Sequence, residues 1–238
     1  MHQLLIIALL AIGSYLFGNL NFALIIARFK GIDLKKKGSG NLGTMNTARN
    51  LGIKFGFLVL FLDALKGMIP CIIGWVIVGA IGFGEVSVNG IVLEASQMGA
   101  HIAGFFVILG HVYPVLLKFK GGKGIASTIG VALVLQPFVA LITFAAAFVF
   151  ISITRMGSIT SFIVITVPLT IDSITLPYFS DSSYSIVSAV FIFLLFVLTI
   201  FAHRTNIVKL FLGTESKTGV FKTKKEREEK KLRKLKEI

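Results

Sequence analysis

Apolar residues run almost unbroken through long stretches of the chain: Leu4 to Ala27, Phe55 to Phe83, Met98 to Leu117, Ile125 to Ile153, Ile159 to Leu176 and Tyr184 to Ala202. Runs of about eighteen or more apolar residues are long enough to cross roughly 30 Å of hydrocarbon as helices. The run from Ile125 carries Gln136-Pro137 near its middle, where proline removes a donor and disfavours helix in the residue before it. It predicts a short broken helix, Ile125 to Gln136, turning into a longer one, Phe138 to Thr154. The pattern as a whole predicts an all-α polytopic membrane protein of about seven transmembrane helices, one of them short.

Polar connections set the orientation. Lys and Arg fall at Arg28 to Lys54, Lys118 to Lys123, Arg155 and Arg204 onward, whereas Gly84 to Gln97 and Pro177 to Ser183 hold none. The positive-inside rule then places the first group in the cytoplasm and the second outside, with the N-terminus outside and the C-terminus cytoplasmic. Composition agrees with a membrane reading. Of 238 residues 55% are hydrophobic and 15% charged, and mean hydropathy is +0.88, outside the range of soluble domains.

The formal net charge of +13 is therefore no footprint of nucleic-acid binding. Much of the excess lies in cytoplasmic loops and in the stretch from Glu215 to Ile238, with ten Lys or Arg against five Glu, a composition that suits a solvated or lipid-touching segment. The expected organisation is one integral-membrane domain over residues 1–215 and a basic cytoplasmic tail over 216–238. Cys71 is the sole cysteine, which rules out an intrachain disulfide and a cysteine metal cluster; it reads as a packing residue. The first run is too long for a cleaved signal peptide and has no basic region ahead of it.

Three polar patches are richer than connectors need to be: GSGNLGTMNTARNLG from Gly38 to Gly52, GHVYPVLLKFKGGKGIAST from Gly110 to Thr128, and HRTNIVKLFLGTE from His203 to Glu215. Each follows the expected cytoplasmic end of a helix, so they can converge on one surface. The first contains G-x-G-x-x-G, but a dinucleotide finger needs a strand before it and a crossover helix after it. The GGKG of the second lacks the phosphate-loop spacing: Leu117 stands where glycine is required and Gly124 where Ser or Thr should follow the lysine. Glycines still let backbone N–H groups approach an anion, and a helix start adds partial positive charge. Ser39, Asn41, Thr44, Asn46 and Arg49 supply further donors, Arg49 with a bidentate fork. Lys118, Lys120 and Lys123 surround Gly121 and Gly122 just before the broken helix, whose N-terminus would face the same cavity. Two phosphate-sized sites at a membrane surface follow, against the plainer reading that the glycines serve turns or close helix packing.

His203 ends an apolar helix, and Asn206 shares its face if the helix continues. His111 is read as a packing donor, and His101 is given no role. Asp63 and Lys66, three residues apart within an apolar run, are expected to pair and to position the neighbouring loop.

These patches resemble the three motifs of the bacterial membrane acyl-phosphate-dependent glycerol-3-phosphate acyltransferases. The form S-G-N-x-G-A-T-N-x-x-R is matched by Ser39 to Gly43, Asn46 and Arg49; G-H-x-x-P-V-x-x-x-F-K-G-G-K-G-x-A-[ST] by Gly110 to Ser127; and H-R-x-N-I-x-x-L-x-x-G-x-E by His203 to Glu215. The usual Ala-Thr is Thr44-Met45 here, which displaces the hydroxyl by one residue. The resemblance implies transfer of a fatty acyl group from acyl phosphate to the sn-1 hydroxyl of glycerol 3-phosphate, giving lysophosphatidate and phosphate, an early step of phospholipid synthesis at the bacterial inner membrane. It implies Ser39, Arg49, Lys123, His203 and Asn206 as catalytic residues, with Asn41 beside them. Substrate binding would fall to Gly40, Asn41, Gly43, Asn46, Lys120, Gly121, Gly122, Gly124 and Arg204, and structural support to Glu215, Asp63 and Lys66. Acyl phosphate, glycerol 3-phosphate and membrane lipids are the expected partners, with no nucleic acid, metal or cofactor.

A mixed anhydride demands little nucleophile activation, because the cations that bind its phosphate stabilise the leaving group. Direct attack with the donor phosphate taking the proton is the implied route, and His203 as general base competes with it. No H-x-x-x-x-D occurs: Phe106, Leu116 and Val208 stand five residues after His101, His111 and His203, which argues against acyl-CoA as donor. A transporter or flippase for a phosphorylated solute or lipid is the rival class. That class calls for an internal repeat and mid-membrane polar groups. A scaffold acting through the tail is a second rival, and it leaves the three patches unexplained.

Overall fold

The structure, a computed structural model, describes residues 2–81, 93–179, 183–215 and 218. The chain forms α1 (His2–Gly18), α2 (Phe22–Phe29), α3 (Thr44–Leu51), α4 (Ile53–Ile81), α5 (Leu93–Val112), a 3-10 turn (Val115–Leu117), α6 (Ile125–Leu135), α7 (Pro137–Thr154), α8 (Gly157–Phe179) and α9 (Ser183–Phe211). Six spans among the described residues are long and apolar enough to cross a bilayer, and Ile125–Leu135 is a shorter apolar helix. Helices are the form in which such segments satisfy their own backbone away from water. The expected six long helices and one short one are therefore present. Most of the connection Gly84 to Gln97, part of Pro177 to Ser183, and the tail after Glu215 apart from Thr218 lie outside the described residues.

The break between α6 and α7 falls at Gln136, as the proline pattern predicts. Pro137 occupies the first turn of α7, where its missing N–H costs nothing. A second break lies inside the first apolar run, which reads as continuous in the sequence. Asn19 and Asn21 terminate α1 and cap α2: Asn21 accepts from the Leu24 N–H at 2.8 Å, and Asn19 Oδ1 accepts from Leu116 N–H at 3.3 Å. The carbonyl of Leu20 accepts from Lys66 Nζ at 2.5 Å. Helix α9 runs on to Phe211, beyond the apolar run that ends at Ala202, so His203 and Asn206 do share one helix.

Helices α4, α5, α6, α8 and α9 meet around a core that includes Cys71, Val107, Ile108, Val131, Ile165, Leu169 and Leu195. Cys71 is fully buried there, as a packing residue. Helix α6 sits close against α4 because Gly67 faces the Ser127 backbone and Gly130 faces the Ala64 carbonyl, with no room for a β-carbon at either glycine. Large apolar side chains such as Phe138, Ile142 and Phe193 line the outside of the bundle, the arrangement expected of a lipid-facing surface.

Candidate active site

One cavity of about 270 Å³ draws its walls from all three polar patches. Ser39, Asn41, Gly43, Thr44, Met45 and Arg49 come from the α2–α3 loop and α3; Lys123, Gly124, Ile125 and Ala126 from the start of α6; Asn206, Lys209 and Glu215 from the end of α9 and the residues after it. The start of α8 adds Ser158, Thr160 and Ser161. An apolar arm lined by Phe57, Leu60, Ile129, Phe144, Phe148 and Ile151 extends from this polar end.

The first loop is shaped from within. Asn46 is buried, donates from Nδ2 to the carbonyls of Leu34 and Lys37, both at 3.1 Å, and accepts from Ser39 N–H at 3.1 Å and Asn50 Nδ2 at 3.1 Å. Its amide is fully occupied within the protein, so Asn46, which also reaches the cavity wall, builds the loop. Gly40, at φ +69°, turns the chain toward the Lys35 carbonyl and is not on the cavity wall. Gly43 is on the wall and caps α3 without a side chain. The first-turn N–H groups at Thr44 and Met45 are left without helical partners.

The second patch divides in two. Gly121 and Gly122 donate their N–H groups to the carbonyls of Val112 (3.2 Å) and His111 (3.1 Å). A β-carbon at either would run into His111. Their lack of side chains serves close packing on the end of α5, and their N–H groups are already spent. Lys118 and Lys120 are exposed and off the wall. Lys123 is the lysine that turns inward, donating to Asn206 Oδ1 at 2.5 Å. Burial, then repulsion from Lys209 and Arg49 that Glu215 only partly offsets, brings its amine down to about 8. Gly124, at φ +82°, starts α6 at the cavity.

In the third patch Asn206 lines the cavity, but His203 is fully buried behind it. Its Nδ1 donates to the Thr199 carbonyl at 3.1 Å, its ring lies 5.4 Å from that of Phe162, and its Nε2 is buried without a hydrogen-bond partner. Arg204 points outward, donates to the Phe201 carbonyl at 2.8 Å and is not on the cavity wall. Glu215 accepts from Ser158 N–H at 2.8 Å, tying the segment after α9 to the start of α8.

The expected pair of Asp63 and Lys66 is present at 3.0 Å, with both side chains buried. Lys66 also donates to His111 Nδ1 at 2.8 Å, so the pair supports the α1–α2 break and the end of α5 together. Asp63 and His111 form part of the cavity wall. Two features were missed in the sequence. Lys209 follows Asn206 by three residues, which puts it on the same helix face. Asp172 is a lone carboxylate in an apolar run, where a charge is costly and needs a partner.

A family model described as glycerol-3-phosphate acyltransferase matches residues 8–213. The chain is 38% identical to a glycerol-3-phosphate acyltransferase of Thermoanaerobacter sp. strain X514 over 89% of this chain and 95% of that one. It is 33% identical to the Bacillus subtilis strain 168 protein of the same description, over 90% and 98%. Among solved structures it resembles PlsY (YgiH), an integral membrane glycerol 3-phosphate acyltransferase, in its glycerol 3-phosphate form, with a TM-score of 0.72 and 34% identity over 90% of this chain and 96% of that one. Its likeness to the lysophosphatidic acid form gives a TM-score of 0.70 at 33% identity.

Proposed function

This chain belongs to the glycerol-3-phosphate acyltransferase family, and from that premise we propose how its cavity carries out the reaction and which donor it uses. The protein is an integral-membrane glycerol-3-phosphate acyltransferase of phospholipid synthesis, producing lysophosphatidate; the transporter and scaffold readings lapse with that membership. The donor is acyl phosphate and the acceptor atom is the sn-1 hydroxyl. One observation carries the reading: Ser39, Arg49, Lys123 and Asn206, from segments far apart in the chain, line one cavity that also has an apolar arm.

Arg49, Lys123 and Lys209 supply the positive charge that two phosphates require, and Ser39, Asn41 and the first-turn N–H groups of α3 and α6 supply neutral donors. The acyl chain lies along the arm between Phe57 and Phe148, and the carbonyl carbon sits at the polar end. There the sn-1 oxygen bonds to the carbonyl carbon, the bond from that carbon to the phosphate oxygen breaks, and the hydroxyl proton leaves on the released phosphate. Lys123 stabilises the charge that grows on that phosphate, and Asn206 holds the Lys123 amine in place. His203, enclosed and off the wall, supports α9 and takes no proton. The catalytic unit is residues 1–215, its cavity opens to the cytoplasm, and the basic tail lies outside it.

The donor is tested with protein purified in detergent and offered palmitoyl phosphate or palmitoyl-CoA beside glycerol 3-phosphate. Equal yields of phosphate and lysophosphatidate, from the acyl phosphate alone, are expected. Lysophosphatidate made from the thioester at a comparable rate would refute the donor assignment.

A further inference from the structure

Away from the cavity, a buried polar network joins three parts of the bundle. His101 of α5 meets Asp172 of α8 at 2.7 Å between Nε2 and Oδ2. The side-chain amide of Gln136 donates to Asp172 Oδ1 at 2.9 Å and to Thr175 Oγ1 at 3.2 Å. The other ring nitrogen of His101 lies 2.8 Å from the Gln97 carbonyl. A carbonyl can only accept, so His101 Nδ1 carries a proton. The ring and the carboxylate of Asp172 are joined through Nε2 and Oδ2.

The place of this network in the chain gives it meaning. Gln136 is the C-cap of α6 and Gly124, directly after Lys123, is its N-cap. Eleven residues make a rod of roughly 17 Å, with the cavity at one end and the network at the other. We propose that His101, Asp172 and Gln136 clamp the far end of α6 and thereby hold Lys123 and the first turn of α6 in register with Asn206 and the cavity wall. They are positioning residues for acyl transfer, an inference that rests on Lys123 acting in that cavity.

A clamp needs hydrogen bonds, whereas a proton store needs the carboxyl group. In Asp172→Asn the new amide oxygen still accepts from Gln136 and the new amide N–H donates to His101 Nε2, so every bond survives. Asp172→Ala strands both partners. The experiment compares kcat, KM and the pH dependence of kcat/KM for Asp172→Asn, Asp172→Ala and Gln136→Ala, with palmitoyl phosphate and glycerol 3-phosphate, on monodisperse full-length protein. The clamp predicts that Asp172→Asn stays within about twofold of wild type, while Asp172→Ala and Gln136→Ala lose about tenfold or more in kcat, the scale of a small misplacement.

In Gln136→Ala the basic limb of the profile also moves to higher pH as Lys123 gains water. The charged groups that act on Lys123 are Arg49, Lys209 and Glu215, Asp63 and His111 also line the cavity, and none of them is altered. A simple loss of folded protein would lower the amplitude and leave the limb in place. Asp172→Asn as inactive as Asp172→Ala would overturn the clamp in favour of a proton function, and so would Gln136→Ala with wild-type kcat and limb. Lys123→Ala serves as the control: full activity there would overturn the premise, whereas an inactive Lys123→Ala beside a normal Gln136→Ala would overturn the clamp alone.

Discussion

Lys123 shows how the residue scale sets the chemistry. Its amine titrates near 8 because burial and two neighbouring cations oppose the charged form. The protonated form is the one that binds phosphate, so activity is present below that value and is lost as pH rises through it. We expect kcat/KM, which reports the free enzyme, to fall above about pH 8, and Lys123→Arg, whose charge persists to far higher pH, to lose that limb. A flat wild-type profile to pH 10 (about the ordinary lysine range) would contradict the assignment. His203 offers a second check. Its Nε2 is buried and unpartnered, and if it only supports α9 then His203→Gln keeps kcat within about tenfold of wild type, short of the 10²–10⁴ that loss of a general base costs. Sequence reasoning named both residues from their motifs, but motif membership could not separate wall from support. Asn46, Gly121 and Gly122 look like phosphate ligands by residue type. Whether an amide is free or spent depends on partners such as Leu34 and His111, to which nothing in the local pattern points.

At the scale of elements, the breaks decide where the site is. Gln136-Pro137 announces the end of α6 in the sequence, because proline constrains its own neighbours. The break between α1 and α2 was hidden, because Leu20 continues the apolar run and the bonds that open the helix come from Lys66 and Leu116, far along the chain. Close approach of α4 and α6 was likewise illegible, since a glycine in an apolar run carries no record of what faces it. That contact should be sensitive. Gly130→Val would drive side-chain atoms into the Ala64 backbone and should cost about 1–3 kcal/mol by overpacking, seen as a lower thermal midpoint in detergent. Gly13 has nothing within 4 Å of an added β-carbon, and Gly13→Ala should leave the midpoint unchanged or raise it slightly. Equal effects at the two glycines would show that the α4–α6 contact is looser than the geometry implies.

For the molecule as a whole, the seven apolar segments and their order were legible from hydrophobic runs, since a bilayer leaves the backbone few alternatives to helix. The orientation read from Lys and Arg yields a direct prediction. In a Cys71→Ala background, Lys120→Cys should react with a membrane-impermeant thiol reagent only once cells are opened; labelling of intact cells would invert the topology. What the pattern of runs did not reveal was how the bundle brings the ends of α2, α5 and α9 to one place and sorts the side chains there into wall and exterior. That sorting is the central claim, and the two arginines test it. Arg49 lines the cavity, whereas Arg204 belongs to an equally polar patch but turns away to the Phe201 carbonyl. The decisive measurement is kcat/KM for glycerol 3-phosphate, with palmitoyl phosphate as donor, in Arg49→Ala and Arg204→Ala side by side. We predict a loss of about a hundredfold or more for Arg49→Ala, the scale of removing a charged stabiliser of the transition state. Arg204→Ala should stay within about threefold, as expected of a surface substitution. The reverse order, or equal losses, would contradict the placement of the active site in this cavity.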